Sequence, residues 1–168
     1  MKNLIPTYYQ KDLFALDINK LLALKVKIVF LDLDNTLVSP YVQVPDEKAI
    51  EFINNLKQHF KVIILSNNHE DRVKLFCLDL GVDYVYEVKK PNIKRLKAHL
   101  DENKIDVNDC ISIGDQVMTD IYLANKLKIK SILVDARTKD DEPITFFPRL
   151  LDKHYRKKFQ KKGLLRDL

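Results

Sequence analysis

Glycine is scarce in this chain of 168 residues: there are three, Gly81, Gly114 and Gly163, and with so few each is expected to hold a particular position. Cysteine is scarcer still. Cys77 and Cys110 lie far apart among apolar residues and form no metal-type pair, so they read as reduced core cysteines of a cytosolic protein. No apolar run approaches the ~18 residues a membrane span needs. At the N-terminus Asp12, Asp17 and Lys20 break up the basic-then-apolar order of a signal peptide, so none is expected. What is there is 46% hydrophobic and 32% charged, the balance of a soluble globular protein. The length suits one domain over residues 1–168 with a sizeable core.

Charge is distributed unevenly. Residues 149–168 hold eight Lys or Arg against Asp152 and Asp167, a net +6, while the whole chain carries +5, so residues 1–148 come to −1. A near-neutral body with a strongly basic end points to an acidic partner for the segment at about 148–168: membrane surface, nucleic acid or ribosome. Pro148 suits a helix start and Gly163 a helix end. Between them Leu150, Leu151, Tyr155 and Phe159 form an apolar stripe, with Arg149, Lys153, Arg156, Lys157, Lys161 and Lys162 largely off it. Such a helix either packs its stripe on the core with solvated lysines, or docks on an anionic surface.

The chain is organised around Ile28-Val29-Phe30-Leu31-Asp32-Leu33-Asp34-Asn35-Thr36-Leu37. Four apolar residues run into two aspartates one residue apart, which reads as a buried strand ending in acids. Further strands are predicted at 61–65, 84–86, 110–113 and 131–135, with helices at about 17–24, 46–57, 70–80, 91–102 and 119–127 between them. Pro6, Tyr8 and Tyr9 fit no element. Gly81 falls at a helix C-terminus. Strand and helix alternate without repeats, which predicts an α/β fold: a doubly wound, Rossmann-like parallel sheet of five strands.

In such a sheet the carboxyl ends of the strands share one rim, where ligands bind. Asp32 and Asp34, then Ser66, Asn67 and Asn68, then Lys90, then Asp115 and Asp120 all fall there. Acids for a hard cation, a hydroxyl, an amide and a lysine together suit a phosphoryl group. Each also has an ordinary structural reading. Asp-x-Asp-Asn-Thr and Ser-Asn-Asn are turn chemistry, and Lys90 beside Lys89 is a solvated charge. Asp115 caps a helix, Asp120 favours a helix dipole, and Thr36 ties down its loop.

The ordered set Asp32-Leu33-Asp34-Asn35-Thr36-Leu37, Ser66-Asn67-Asn68, Lys89-Lys90-Pro91 and Gly114-Asp115-Gln116-Val117-Met118-Thr119-Asp120 resembles the haloacid dehalogenase (HAD) superfamily of phosphatases. Within it the set resembles subfamily IIIA and the YqeG group, which is similar to mitochondrial phosphatidylglycerophosphate phosphatases. The resemblance implies a HAD-like core and a Mg²⁺-dependent phosphatase. It implies Asp32 as nucleophile and Asp34 as acid/base. Mg²⁺ falls to the Asp32 and Asp115 carboxylates and the Asp34 main-chain carbonyl. Ser66, Asn67 and Lys90 fall to the phosphoryl group, with Thr36 and Asp120 in support. It also implies phosphatidylglycerophosphate, a lipid of phospholipid synthesis, as substrate. Neither 37–65 nor 67–90 has room for an inserted cap domain, so the site is expected to be open and the protein cytoplasmic and peripheral to the membrane. The other readings are a phosphatase of protein or nucleic-acid termini and a ribosome- or RNA-binding module with incidental hydrolysis.

Overall fold

The structure, a computed structural model, describes residues 2–40, 42–138 and 146–168, with side chains in the last stretch from Leu150 onward. Its centre is a parallel sheet of β1 (Tyr8–Gln10), β2 (Ile28–Asp32), β3 (Lys61–Leu65), β4 (Asp83–Val85), β5 (Cys110–Gly114) and β6 (Lys130–Val134), in the order β1-β6-β5-β2-β3-β4. There are thus six strands where the sequence indicates five. The additional one is β1, three half-buried residues at the sheet edge. Its two tyrosines split between faces, Tyr8 packing with one core cluster and Tyr9 with another. Three residues are too short a run for that alternation to be read.

The inner strands are mostly apolar because both faces are covered, with Ser112 and Ser131 as buried polar exceptions. On one side Val29, Leu31, Ile64 and Ile113 pack with Leu21 of α1 (Ile18–Ala23), Ile53 of α2 (Glu47–Lys57) and Phe76 of α3 (Glu70–Leu80). On the other, Phe30 and Ile63 meet Leu96 and Leu100 of α4 (Lys94–Glu102) and Leu123 of α5 (Tyr122–Lys126). Leu133, alternate to Ile132 and Val134, meets Phe159 of α6 (Phe146–Lys161) on that second side. Phe30, Leu31, Ile63 and Phe159 are fully buried, each contributing ~1.5–3 kcal/mol relative to exposure.

Helix starts follow the expected chemistry in two cases. The Asp17 carboxylate accepts from Asn19 N at 2.9 Å, and that of Asp46 from Ala49 N at 2.9 Å. Gly81 ends α3 at φ +59°. Two starts differ. Pro91 does not open α4; the Lys90–Pro91 peptide is cis, the chain turns with Asn92 N donating to Lys89 O at 2.8 Å, and the helix begins at Lys94. The helix expected from Thr119 begins instead as a wide π-turn over Val117–Ile121, where Ile121 N donates to Gln116 O at 3.2 Å. Two backbone donors at that turn, Gln116 N and Val117 N, go to the carboxylates of Asp120 and Asp152 at 3.0 and 2.6 Å. The α5 ladder therefore starts late.

The strand order reverses between β2 and β5. The chain runs outward from β2 through β3 to β4, then returns to place β5 on the other side of β2. The crevice beyond their carboxyl ends is where this topology places a ligand site.

Candidate active site

β2 brings Asp32 to that crevice and β5 brings Asp115. Asp34 and Asn35 follow in a tight reversal. Leu37 N donates to Leu33 O at 3.0 Å and Asn35 N to Val38 O at 2.7 Å, with Asn35 at φ +63°. Asparagine tolerates that left-handed backbone better than most residues. The reversal turns Thr36 inward, its hydroxyl 2.7 Å from Asp32 Oδ2 and 3.2 Å from Asp115 Oδ1. One hydroxyl proton serves one of those oxygens at a time.

Oxygens of Asp32, Asp115 and Asp120 lie within 4.8 Å of one another, and all three residues are buried. The buried Lys90 ammonium stands among them. It donates to Asp32 Oδ1, to Asp120 Oδ1 at 2.7 Å and to Leu65 O at 3.3 Å, which uses its three protons. Three carboxyl groups and one ammonium thus crowd one small buried volume. Burial pushes the Asp32 carboxyl up to about 8, opposed by Lys90 and assisted by Asp120 and Asp115. Lys90 loses some basicity to burial, but Asp120 and Asp32 more than restore it, so it stays charged. An all-oxygen cluster of three buried carboxyl groups is a fitting place for a hard divalent cation.

The loop after β3 holds Lys90 in place. Asn67 Oδ1 accepts from Lys90 N at 2.8 Å, and Val88 N donates to Ser66 O at 3.0 Å. Ser66 is fully buried and its hydroxyl accepts from Asn68 N at 3.1 Å. The exposed Asn67 thus spends its side-chain oxygen on the lysine loop. The Asp34 carboxylate stands apart from the acidic cluster, accepting from Arg72 Nη2 at 2.5 Å and from Asn68 Nδ2.

Hydrogen bonds therefore link Asp32, Thr36, Lys90, Asp115 and Asp120 directly, and place Ser66 and Asn67 on the loop bracing Lys90. Sequence reasoning missed Arg72. Its signal was a cation in the first turn of α3, where the helix dipole disfavours one. It also misplaced Arg156, which it grouped with the solvated basic residues. Arg156 points inward and donates to Asp152 Oδ2 at 2.6 Å, Asp135 Oδ1 at 2.9 Å, Val134 O at 2.7 Å and Asp115 O. Leu150, expected on the apolar stripe, is exposed; the stripe that packs is Tyr155 and Phe159. Cys77 and Cys110 are buried free thiols, pushed up to about 12 chiefly by burial.

The chain is similar to several known proteins. A family model described as HAD-hydrolase-like matches residues 88–149. The chain is 34% identical over 163 residues to the probable phosphatase YqeG of Bacillus subtilis strain 168, covering 96% of this chain and 95% of that protein. Among solved structures, an uncharacterised protein of Listeria monocytogenes serotype 4b superposes with a TM-score of 0.53 at 19% identity, covering 78% of this chain and 99% of that one. A HAD family enzyme of Bacteroides thetaiotaomicron, in complex with magnesium and inorganic phosphate, gives a TM-score of 0.53 at 14% identity, covering 72% and 99%. At those identities the two structures bear on the fold.

Proposed function

The chain belongs to the HAD superfamily of phosphatases, in the YqeG group, and we propose that it is a Mg²⁺-dependent phosphomonoester hydrolase working through an aspartyl-phosphate on Asp32. The observation that carries this reading is the grouping of the Asp32, Asp115 and Asp120 carboxyl groups around the Lys90 ammonium. When bound, by the Asp32 and Asp115 carboxylates and the Asp34 main-chain carbonyl, Mg²⁺ supplies the positive charge that lets one anion approach another.

The chain's own residues do the rest. A carboxylate oxygen of Asp32 attacks phosphorus, and the bond to the leaving alkoxide breaks as the new one forms. Asp34 gives the alkoxide its proton. Asp34 then takes a proton from the water that attacks phosphorus, the Asp32–phosphorus bond breaks, and inorganic phosphate leaves. Thr36 steadies the second Asp32 oxygen. Ser66, whose hydroxyl accepts from Asn68 N, still has its own proton to give a phosphoryl oxygen, with the Asn67 main-chain N–H beside it. Lys90 offsets charge on Asp32 and the phosphoryl group, and Asp120 holds Lys90. Arg72 and Asn68 hold the Asp34 side chain, and would steady its carboxylate in the interval between the two proton transfers.

For the substrate the reading is a lipid phosphomonoester, phosphatidylglycerophosphate, with the enzyme cytoplasmic and peripheral at the membrane. Two observations support it. Only Gly81 and Val82 separate α3 from β4, and the described residues of 33–46 hold no helix or strand, so nothing inserted there covers the crevice. The outer side of α6 carries His154, Lys157, Lys158, Lys161 and Lys162 around one depression. No described helix is long and apolar enough to cross a membrane. The test is a panel with and without Mg²⁺: phosphatidylglycerophosphate and phosphatidic acid in mixed micelles, an aryl phosphate, a phosphopeptide and end-phosphorylated oligonucleotides. The highest Mg²⁺-dependent kcat/KM is expected on phosphatidylglycerophosphate. A faster phosphopeptide or oligonucleotide moves the enzyme to protein or nucleic-acid termini, and hydrolysis of none leaves a binding module.

A further inference from the structure

We propose that Arg156 and Asp152 of α6 are positioning residues for the metal site, fixing the Asp115 backbone and the turn behind it. This rests on the metal reading above. The side chain of Arg156 uses all its reach inward. Nη2 donates to the Asp115 main-chain oxygen and to Val134 O at 2.7 Å, Nη1 to Asp135 Oδ1 at 2.9 Å, and Nε to Asp152 Oδ2 at 2.6 Å. The other oxygen of Asp152 accepts from Val117 N at 2.6 Å.

One guanidinium thus ties the end of β5 to the end of β6. One carboxylate, itself buried, secures the first residue of the π-turn that carries Asp120. Asp152 is the single acid among residues 149–166. Its burial within so basic a stretch has no solvent-side purpose. Asp135 is held in turn by the Tyr9 hydroxyl at 3.0 Å, so the network reaches the edge strand. A main-chain carbonyl gripped by a charged donor is oriented more firmly than by a neutral one. Groups that orient metal ligands typically change metal affinity 10–100-fold when removed.

The experiment compares wild type, Arg156→Gln, Arg156→Lys, Asp152→Asn and, as a control at an exposed position of α6, Gln160→Ala. Two quantities are read: Mg²⁺ half-saturation for aryl phosphate hydrolysis, and the Mg²⁺ concentration needed for a fixed rise in Tm above each protein's metal-free value. Both should climb about tenfold or more in Arg156→Gln, with substrate KM at saturating Mg²⁺ little changed. Arg156→Lys should remain defective, because an ammonium cannot span four acceptors. Gln160→Ala should match wild type. A lower metal-free Tm with an unchanged Mg²⁺ requirement in both readouts would overturn the proposal and leave helix packing alone. If Arg156→Gln does not fold, the nearly isosteric Asp152→Asn decides on the same criterion. A wild type with no Mg²⁺-dependent rise in Tm defeats the metal reading instead.

Discussion

Asp120 folds back over Gly114 so closely that a β-carbon on Gly114 would lie 2.5 Å from Asp120 Cβ and 2.7 Å from its Oδ2. The glycine is there to admit the carboxylate that holds Lys90. Gly114→Ala should push Asp120 off Lys90, destabilise the fold by ~1–3 kcal/mol, and lower Mg²⁺-dependent activity at least tenfold. Urea unfolding with parallel kinetics checks both. Full activity in the alanine variant would mean that Asp120 has no part in the site.

Asp32→Asn should remove hydrolysis while leaving the fold intact. The change is nearly isosteric, and it takes one acid from a buried cluster in which the neighbouring carboxyl groups disfavour its ionisation. Lys90 keeps Asp120 as partner. A folded variant retaining more than about a tenth of wild-type kcat, a loss under ~1.4 kcal/mol of barrier, would exclude the covalent route through Asp32.

How much of this was legible in the sequence follows from what sets strand ends. Apolar runs locate the ends of β2, β3 and β5, so Asp32, Ser66 and Asp115 fell on one rim without any coordinates. β1 was not legible, since its pairing with β6 joins Tyr8 to Ile132 across the whole chain. Nor was the turn at Pro91, a residue suited to a helix start: the helix begins only at Lys94. Arg156 was misread for a related reason. Local sequence shows a cation among cations, and only tertiary packing shows that its acceptors lie at Val134 and Asp115.

Asp34→Asn separates a proton-transfer role from a structural one. Loss of the acid should slow an alkyl phosphate, whose leaving group needs a proton, more than an aryl phosphate of an acidic phenol. The Arg72 and Asn68 contacts both fall on Asp34. Equal slowing of both substrates with unchanged Mg²⁺ affinity would assign Asp34 to holding α3 against the loop.

The Asp32 carboxyl gives the metal-free protein a pH signature. Its folded value, about 8, lies above the ordinary value of 3.8. Folding therefore favours the protonated form. The stability this group contributes is full below about pH 4 and is lost as pH rises from there through 8. Mg²⁺ competes with that proton, so the Tm gain on adding Mg²⁺ should grow between pH 6 and pH 8. Thermal melts in EDTA and in Mg²⁺ across that range check the sign. A gain independent of pH would show that metal binding displaces no proton from the cluster.

The outer face of α6 should bind anionic membrane surfaces. Phe159 is fully buried and Tyr155 packs beside it, so the apolar side of the helix is already taken by the core. What remains outward, Leu150 near the start of the helix apart, is mainly charge: Lys153, Lys157, Lys161 and Lys162 are exposed. The interaction must then be electrostatic and shallow, ~1 kcal/mol per lysine near an anionic leaflet, and weakened by salt. Arg156 has to be left alone in the test, because its charge is spent inside the protein. The variant is Lys153, Lys157, Lys161 and Lys162 all to Gln, with Mg²⁺-dependent aryl phosphate hydrolysis as the check that the site survives. Wild type should co-sediment with phosphatidylglycerol vesicles at low salt, release at high salt, and ignore phosphatidylcholine vesicles; the variant should stay in solution throughout. Equal binding by both proteins, or none by either, would leave these lysines as a solvated face. Salt-sensitive capture of RNA in preference to vesicles would give the same face a nucleic-acid partner.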